Sequence, residues 1–306
     1  MDRAPDGRLL LGDVVGDLVG LDAQTAVVET RNGLVEIPVA LVSVAKLVPA
    51  STADELALED IVARGWQAAE TDHLGGWLLR ASGGFTGRGN SVLPLRQPGV
   101  PLDEALTVAA AWYAERGLPL TLQIPTESRR LLDAELGERG WDFSTDVHVM
   151  TGRLDVLSAE DLPDAPVLID TAPDDAWLTR YRDGKGTDPN ARGILTRHER
   201  VAFASIRSRD GEVLAIGRGT VDEEWLGVTA VEVASERRRS GLARAVTAAL
   251  WSWGLANGAL RSHLEVSADN APAIALYERL GYRTHHDYRY RTAPAQPADR
   301  EPDHFG

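Results

Sequence analysis

The 306-residue sequence contains no cysteine, which excludes disulfides, thiolate metal sites and cysteine nucleophiles. Lysine is also scarce: only Lys46 and Lys185 are present, so arginine carries nearly all of the positive charge. Acidic residues outnumber basic ones by 46 to 32, and the net charge is −14. Because such a surface repels phosphate backbones, we do not expect nucleic acid as a partner.

Long apolar runs are missing as well. The longest uncharged stretch around a helical segment, 245–260, contains Ser, Asn and Gly, and it is shorter than the ~20 residues that span a bilayer. The N-terminal MDRAPDGR is not followed by an apolar core of signal-peptide type. We therefore expect a cytoplasmic protein with no membrane partner.

The remaining composition, 43% hydrophobic and 25% charged residues, is that of a globular protein. At ~150 residues per domain, the length allows two ordinary domains, or two and a small module. Residues 8–48 contain short Val- and Leu-rich runs, with Asn32-Gly33 as a two-residue hairpin signal. They predict a small all-β SH3-like barrel over 1–50, which serves either for packing or dimerisation or for binding a partner.

The next block, 53–155, alternates helices and strands. We predict helices over 53–65, 102–116 (capped by Asp103) and 127–139, and strands over 76–82, 90–95, 120–125 and 143–154. The Gly-rich segment 83–89 lacks the G-x-x-x-x-G-K-[ST] pattern and precedes a strand. It is therefore interpreted as a flexible turn and not as a phosphate loop.

A longer block of the same kind spans 160–293. It reads as a strand, a helix at 174–182, a polar loop at 183–193 and three strands, of which the last ends at Val233. A helix over 242–257, a strand over 260–266, a helix over 273–280 and a strand from Asp287 follow. Residues 294–306 are rich in proline and charge, and we expect a disordered tail.

The stretch from Val233 to the helix at 242–257 is suited to an anion. The first turn of a helix offers unpaired N–H groups and the positive end of the helix dipole. Gly241 and Ala243 have little bulk, and Arg238 and Arg239 add charge. No Lys-Ser/Thr pair is present to hold Mg²⁺-nucleotide, and a basic loop followed by a helix is an equally good structural interpretation.

Here the sequence resembles the GCN5-related N-acetyltransferase (GNAT) superfamily. Arg238-x-x-Gly241-x-Ala243 matches the Q/R-x-x-G-x-G/A motif, and LEVSADNAPAIALYERLGY (264–282) matches a second signature. The resemblance implies an α+β GNAT fold, a mixed central sheet flanked by helices. It also implies an N-acetyltransferase that uses acetyl-CoA as cosubstrate, needs no metal and acts on a primary amine of a small molecule or peptide.

The resemblance also implies roles for individual residues. Tyr277 would be the general acid for the departing thiolate, and Glu265 the proton acceptor, with Glu232 as the rival base. The implied cosubstrate contacts are Val231, Glu232, Val233, Arg238, Arg239, Ser240, Gly241, Leu242, Ala243, Arg244, Asn270 and Tyr277.

Each role has a structural alternative. Tyr277 could be a core tyrosine, and Asn270 could start the helix that carries Pro272. In the strand 260–266, Glu265 shares a face with Arg261 and His263, and that face could be merely polar. His198, His263, His285 and His286 show no metal-type pairing with carboxylates.

The block 53–155 repeats, less clearly, the order of helices and strands in the later half of the second block. Aligning Gly140-Trp141 with Gly281-Tyr282 places Leu136 at the position of Tyr277 and Arg129 at that of Asn270. This pattern resembles a tandem GNAT with a degenerate, silent first domain, which would wall the acceptor cleft or form a homodimer. A mycothiol synthase-like transferase and a non-catalytic acyl-CoA sensor or scaffold are the alternatives.

Overall fold

The computed structural model describes residues 12–30, 32–46, 50–154, 166–182 and 184–294. The chain divides into two compact units, Met1–Pro49 and Ala50–Gly306. Almost all of the expected tail, from residue 295 onward, lies outside the described residues, as does the boundary near 155–165 between the two predicted blocks.

The first unit contains a three-stranded antiparallel sheet with the order β1-β2-β3. The prediction placed Gly33 in the hairpin loop, but Gly33 pairs with Thr30 and begins β3. Gly33 has a φ of 112°, a conformation that glycine adopts without steric cost. The strands are β1 (Asp17–Leu21), β2 (Thr25–Thr30) and β3 (Gly33–Pro38).

The second unit is an α+β assembly. Its helices are α1 (Thr52–Gly65), α2 (Leu102–Ala114), α3 (Arg130–Glu138), α4 (Asp175–Arg180), α5 (Pro189–Thr196), α6 (Leu242–Ala256) and α7 (Ala271–Arg279). Its strands are β4 (Glu70–Leu74), β5 (Trp77–Ala81), β6 (Leu93–Pro94), β7 (Thr121–Pro125), β8 (Asp142–Phe143), β9 (Val147–Arg153), β10 (Leu168–Asp170), β11 (Val201–Arg207), β12 (Val213–Asp222), β13 (Trp225–Val233), β14 (Arg261–Ser267) and β15 (Arg283–Thr292).

One mixed sheet dominates this unit, in the order β10-β11-β12-β13-β14-β9-β15-β7, with β8 paired to β15. β13 and β14 are parallel, whereas the other pairs are antiparallel. β4, β5 and β6 form a second, small sheet. The predicted mixed sheet with flanking helices is confirmed.

The two predicted blocks share this sheet by exchanging their last strands. β9, from the earlier block, lies between β14 and β15, and β15, from the later block, lies between β9 and β7. Each block therefore completes the sheet of the other. Buried polar side chains also connect the two blocks. Gln123 of the earlier block donates to Glu59 at 2.7 Å, and Glu59 bonds His286 of the later block at 2.9 Å.

Several local expectations need correction. Pro101, not Asp103, is the N-cap of α2, and it makes no side-chain capping bond. Asp103 instead forms an ion pair with Arg139. The expected polar loop 183–193 runs into α5, which buries Ala191, Ile194 and Leu195. The sequence signal for this helix was Asp188-Pro189, an N-cap followed by proline at N1.

The central strands present different surroundings on their two faces. α6 covers one face, and a Cβ at Gly217 would lie 2.4 Å from Cγ1 of Val246. On the other face Arg218 reaches α5 and the end of α1, since it donates to the carbonyls of Leu195 and Gly65. The face opposite α6 is called the polar face below. Within the described residues, no helix is both long and apolar enough to cross a membrane.

Candidate active site

The main feature of the site is a gap between two parallel strands. β13 and β14 are paired only from Trp225↔Arg261 to Val228↔Leu264. Beyond this point β13 continues along β12 as far as Ala215↔Val233, and β14 continues along β9. The two strands therefore part after Val228 and leave the end of β13 open toward β14.

A bulge marks the opening in β13. Its register with β12 shifts between Ile216 and Arg218, and Ala230 has a φ of 55°, which is uncommon for a residue with a side chain. Ala234 donates its N–H to Leu214 on the β12 side at 2.8 Å. Because successive N–H groups of a strand point to opposite edges, the N–H groups of Val231 and Val233 face the gap.

The N-terminus of α6 follows the same strand. A 3₁₀ turn spans Ser235–Arg237, and Arg239 and Gly241 have φ of 61° and 83°. Gly241 is the N-cap and provides no side-chain acceptor for the first turn. Residues 235–241 are exposed. Gly241 therefore does not cap the first-turn N–H groups of α6. These groups lie next to a loop that is basic and accessible.

Asn270 and Tyr277 lie on α7. Asn270 is the N-cap, and its side chain accepts from the N–H of Ala273 at 3.3 Å, so the helix-starting role is observed. Tyr277 is 8% exposed and packs in the core cluster that Val231, Val233 and Leu242 also contact. Burial raises the pKa of Tyr277.

Glu265 lies on the polar face of β14, and this face is buried rather than merely polar. Its side chain is only 5% exposed and forms an ion pair with Arg88. The hydroxyl of Tyr288 donates to its other oxygen at 2.8 Å. The neighbouring His263 is also buried, with no partner for Nδ1 among the described residues. Burial lowers the pKa of His263 to about 4, against the opposing effect of Glu265.

Arg88 is a residue that sequence reasoning missed. It comes from the Gly-rich turn 83–89, which connects β5 and β6 as expected. Asn90 fixes this turn by accepting from the N–H groups of Ser82 and Gly84 at 2.7 and 2.8 Å. Burial opposes the charge of Arg88, but the neighbouring Glu265 raises its pKa. Only its place between two glycines in a turn could have drawn attention to it.

Arg218 is a second missed residue. It is fully buried and shares the ring of Trp66 with Arg88, whose Cζ lies 4.4 Å from the ring centroid compared with 5.1 Å for Arg218. Burial, reinforced by the like charge of Arg88, lowers the pKa of Arg218 to about 9. It therefore stays charged at neutral pH. An arginine inside an apolar strand, AIGRGTV, was the sequence signal.

Glu232 reaches the polar face from β13. Both of its carboxylate oxygens accept from the backbone N–H of Arg182 at 2.8 Å. Arg182 has a φ of 50° and follows α4. Glu232 and Glu265, the two residues predicted as rival bases, thus stand on the two strands that border the gap and on the same face.

The structure gathers most of the predicted site around one opening. The end of β13 carries Val231, Glu232 and Val233. Arg238–Arg244 follow directly in the chain, in the loop and the first turn of α6. No group of three or more His, Asp or Glu side chains within the described residues could hold a metal ion.

A mixed sheet that opens between two parallel strands, beside an uncapped helix N-terminus, defines the class of GNAT-fold acyltransferases. Residues 52–291 match the family described as "Probable histone acetyltransferase Rv0428c C-terminal". The chain belongs to this family, within the GNAT superfamily.

Curated relatives agree with this assignment. The "Probable histone acetyltransferase Rv0428c" of Mycobacterium tuberculosis is 34% identical over 308 residues, which cover 96% of this chain and 93% of that protein. The "Uncharacterized N-acetyltransferase YobR" of Bacillus subtilis is 28% identical and covers 76% of this chain and 96% of that protein. This protein is accordingly an N-acetyltransferase, so the sensor alternative is not supported.

Solved structures share the fold. A GCN5-related N-acetyltransferase from Kribbella flavida aligns with a TM-score of 0.60 and 17% identity, over 81% of this chain and 98% of that one. A tandem GNAT protein from the clavulanic acid biosynthesis pathway aligns with a TM-score of 0.56 and 14% identity, over 82% and 92%.

Proposed function

We propose that this protein transfers the acetyl group of acetyl-CoA to the primary amine of a small molecule or peptide, by direct attack of the amine on the thioester. The observation that carries the proposal is the gap after Val228, beside the N-terminus of α6. Acetyl-CoA supplies the activated acyl carbon; the protein holds it, positions the amine and moves two protons.

The residues at the gap suit a coenzyme A thioester. The N–H groups of Val231 and Val233 offer donors for a pantetheine arm laid along β13. The backbone from Arg239 to Arg244, at the start of α6, offers donors for a pyrophosphate. Asn270 would contact the cosubstrate from the first turn of α7. The N–H of Val233 would also stabilise the oxyanion that develops at the carbonyl.

Two proton transfers complete the reaction. As the N–C bond forms and the C–S bond breaks, the amine loses a proton and the thiolate gains one. Tyr277 is the donor we assign to the thiolate, since its phenol is protonated at neutral pH and lies in the core cluster that Val231 and Val233 contact. Glu265 and Glu232 are the candidate acceptors, on opposite sides of the gap.

The proposal is tested by titrating coenzyme A into the full chain by calorimetry and by measuring thiol release from acetyl-CoA with a panel of amines. We expect binding and amine-dependent release. Glu265→Gln and Glu232→Gln, compared by their pH–rate profiles, separate the two bases: the variant of the true base loses the acidic limb of the profile. Absence of coenzyme A binding would refute the proposal.

A mycothiol synthase-like activity is the second candidate. The Mycothiol acetyltransferase of Kocuria rhizophila is 46% identical over 76 residues, although these cover only 24% of this chain and 25% of that protein. Thiol release with the desacetyl cysteinyl amino-sugar as acceptor separates this candidate from the general proposal.

We also propose the tandem organisation, with a degenerate block at 53–155, an active block at 160–293, an SH3-like module at 1–50 and a homodimer as its assembly. The ends of α3 and α7 support the internal repeat. The backbone N–H of Trp141 donates to the carbonyl of Leu136 at 3.1 Å, and that of Tyr282 donates to the carbonyl of Tyr277 at 3.0 Å, so the two helices end in the same way. Light scattering of the full chain tests the dimer.

A further inference from the structure

The polar face holds a buried cation without a carboxylate partner. Nε of Arg218 donates to the carbonyl of Leu195 at 2.7 Å, and Nη1 donates to that of Gly65 at 3.1 Å. Nη1 also lies 3.4 Å from Oγ1 of Thr229. Nη2 has no hydrogen-bond partner among the described residues. A buried charge of this kind is costly unless an anion meets it.

The carboxylates on the same face are already engaged. Glu265 bonds Arg88 and Tyr288, and Glu232 accepts from the backbone of Arg182. No ion pair to Arg218 occurs in the part of the chain that the structure describes. Arg88, which shares the ring of Trp66, adds a second positive charge nearby. The two carboxylates equal the two guanidiniums in number, but neither of them pairs with Arg218.

The position of Arg218 connects this charge to the gap. Arg218 pairs with Thr229 on β13, one residue before the bulge at Ala230 and two before Val231. Glu232 and Glu265 border the gap itself. An acceptor on this face would thus meet two carboxylates where its amine must arrive, and the guanidinium of Arg218 from β12 beside Thr229.

We propose that the acceptor is an amino carboxylate, a free amino acid or a short relative of one, whose carboxylate binds Nη2 of Arg218 while its amine lies between Glu232 and Glu265. This inference rests on the proposed function and names its substrate class. A guanidinium with a free N–H is a strong donor for a carboxylate. Trp66, which is itself 1% exposed, holds Arg218 and Arg88 in place through its ring.

The first test compares matched acceptors on the wild-type chain. Thiol release from acetyl-CoA is measured with a panel of α-amino acids and with the carboxamide of each, together with a lysine-containing peptide blocked at both ends. We expect kcat/KM for the amino acids to exceed that of their carboxamides by at least about 10-fold. Equal turnover of acid and carboxamide, or a preference for the blocked peptide, would overturn the inference and leave acetyl transfer standing. If none of these acceptors and no simple amine releases thiol, the proposed function fails as well.

The second test places the preference on one residue. Arg218→Met is expected to bring the ratio of acid to carboxamide close to one, with unchanged affinity for coenzyme A. Arg261→Met is the matched control, because Arg261 also lies over a tryptophan ring, that of Trp225, but is 45% exposed; it should keep the preference. A folded Arg218→Met chain that retains the preference refutes the assignment. If circular dichroism shows that this variant is unfolded, binding of an N-acetyl amino acid and of its carboxamide to the wild-type chain with coenzyme A decides: equal binding refutes the inference, and at least about 10-fold tighter binding of the acid supports it.

Discussion

At the residue scale, Tyr277 combines two properties that the sequence presented as rivals. It packs against Tyr282 with ring centroids 5.7 Å apart, as a core residue does. The burial that makes it part of the core is also the cause of its raised pKa. A phenol is protonated at neutral pH whether or not it is buried, which is the form a general acid needs, so core packing and proton donation do not exclude each other.

We expect Tyr277→Phe to lower kcat by about 100-fold, as removal of a positioned general acid does, with coenzyme A affinity nearly unchanged. Steady-state kinetics and calorimetry measure the two quantities. Tyr282→Phe is the control, because its hydroxyl bonds Trp251 and Ser262 in the core. It should cost about 1 kcal/mol of stability and leave kcat intact. Wild-type turnover in Tyr277→Phe would remove this residue from the mechanism.

His263 makes stability depend on pH. Its pKa is lowered by burial to about 4 in the folded chain, from the ordinary 6.5, so the unfolded state binds the proton first as the pH falls. The contribution of His263 to the free energy of unfolding is complete above about pH 6.5. As the pH falls from about 6.5 to about 4, the free energy of unfolding decreases by about 3 kcal/mol in all.

Urea unfolding across this pH range measures the effect. His263→Gln should flatten the dependence on pH, whereas a change at the exposed His73 should not. An unchanged slope in His263→Gln would contradict the assignment.

At the scale of elements, a glycine with left-handed backbone conformation lies near each end of α6, and a ligand is proposed only at the N-terminal one. Gly241 and Gly258 have φ of 83° and 90°. A side chain there costs about 1–2 kcal/mol in either position. Only at Gly241 would it also obstruct the N–H groups of the first turn.

We therefore expect Gly241→Val to abolish measurable coenzyme A affinity while the chain stays folded. Gly258→Val should lower the melting temperature about as much as Gly241→Val does, but it should bind coenzyme A with wild-type affinity. Calorimetry and thermal unfolding of both variants make the comparison. Equal coenzyme A affinity in the two variants would refute the pyrophosphate site.

Elements also show where local patterns were sufficient. β13 spans Trp225–Val233 and ends where predicted, because a strand followed by a polar turn is a local signal. In β14, Leu264 and Val266 lie in the core cluster, on the face opposite Glu265. α5 was missed because its apolar positions Ala191, Ile194 and Leu195 are few and interspersed with polar ones, so periodicity gave little signal over eight residues.

At the scale of the whole molecule, the exchange of β9 and β15 makes the two blocks of the second unit interdependent. Without β9, β14 would present an unpaired edge, and β15 would lose one of its neighbours. Edges of this kind promote aggregation. The buried bonds of Glu59 to Gln123 and His286 would also lose their partners.

We expect segment 160–306 expressed alone to be insoluble or unfolded, and co-expression with 50–159 to restore a soluble complex that binds coenzyme A. The intact chain should unfold its second unit in a single urea transition. Solubility, circular dichroism and calorimetry are the measurements. A folded, coenzyme A-binding segment 160–306 would show that the exchanged strands are dispensable.

The sequence by itself determined the family, the strand β13, the helix start at Gly241 and the positions of Tyr277 and Asn270. These features depend on backbone hydrogen bonding and on side-chain spacing within a few residues, which a linear pattern records. Only the tertiary structure decided what lies on the polar face. Arg88 and Glu265 are 177 residues apart, and Arg218 and Gly65 are 153 apart. They meet because strands and helices from both blocks pack on one shared sheet, and the burial that gives these charges their significance exists only after that packing.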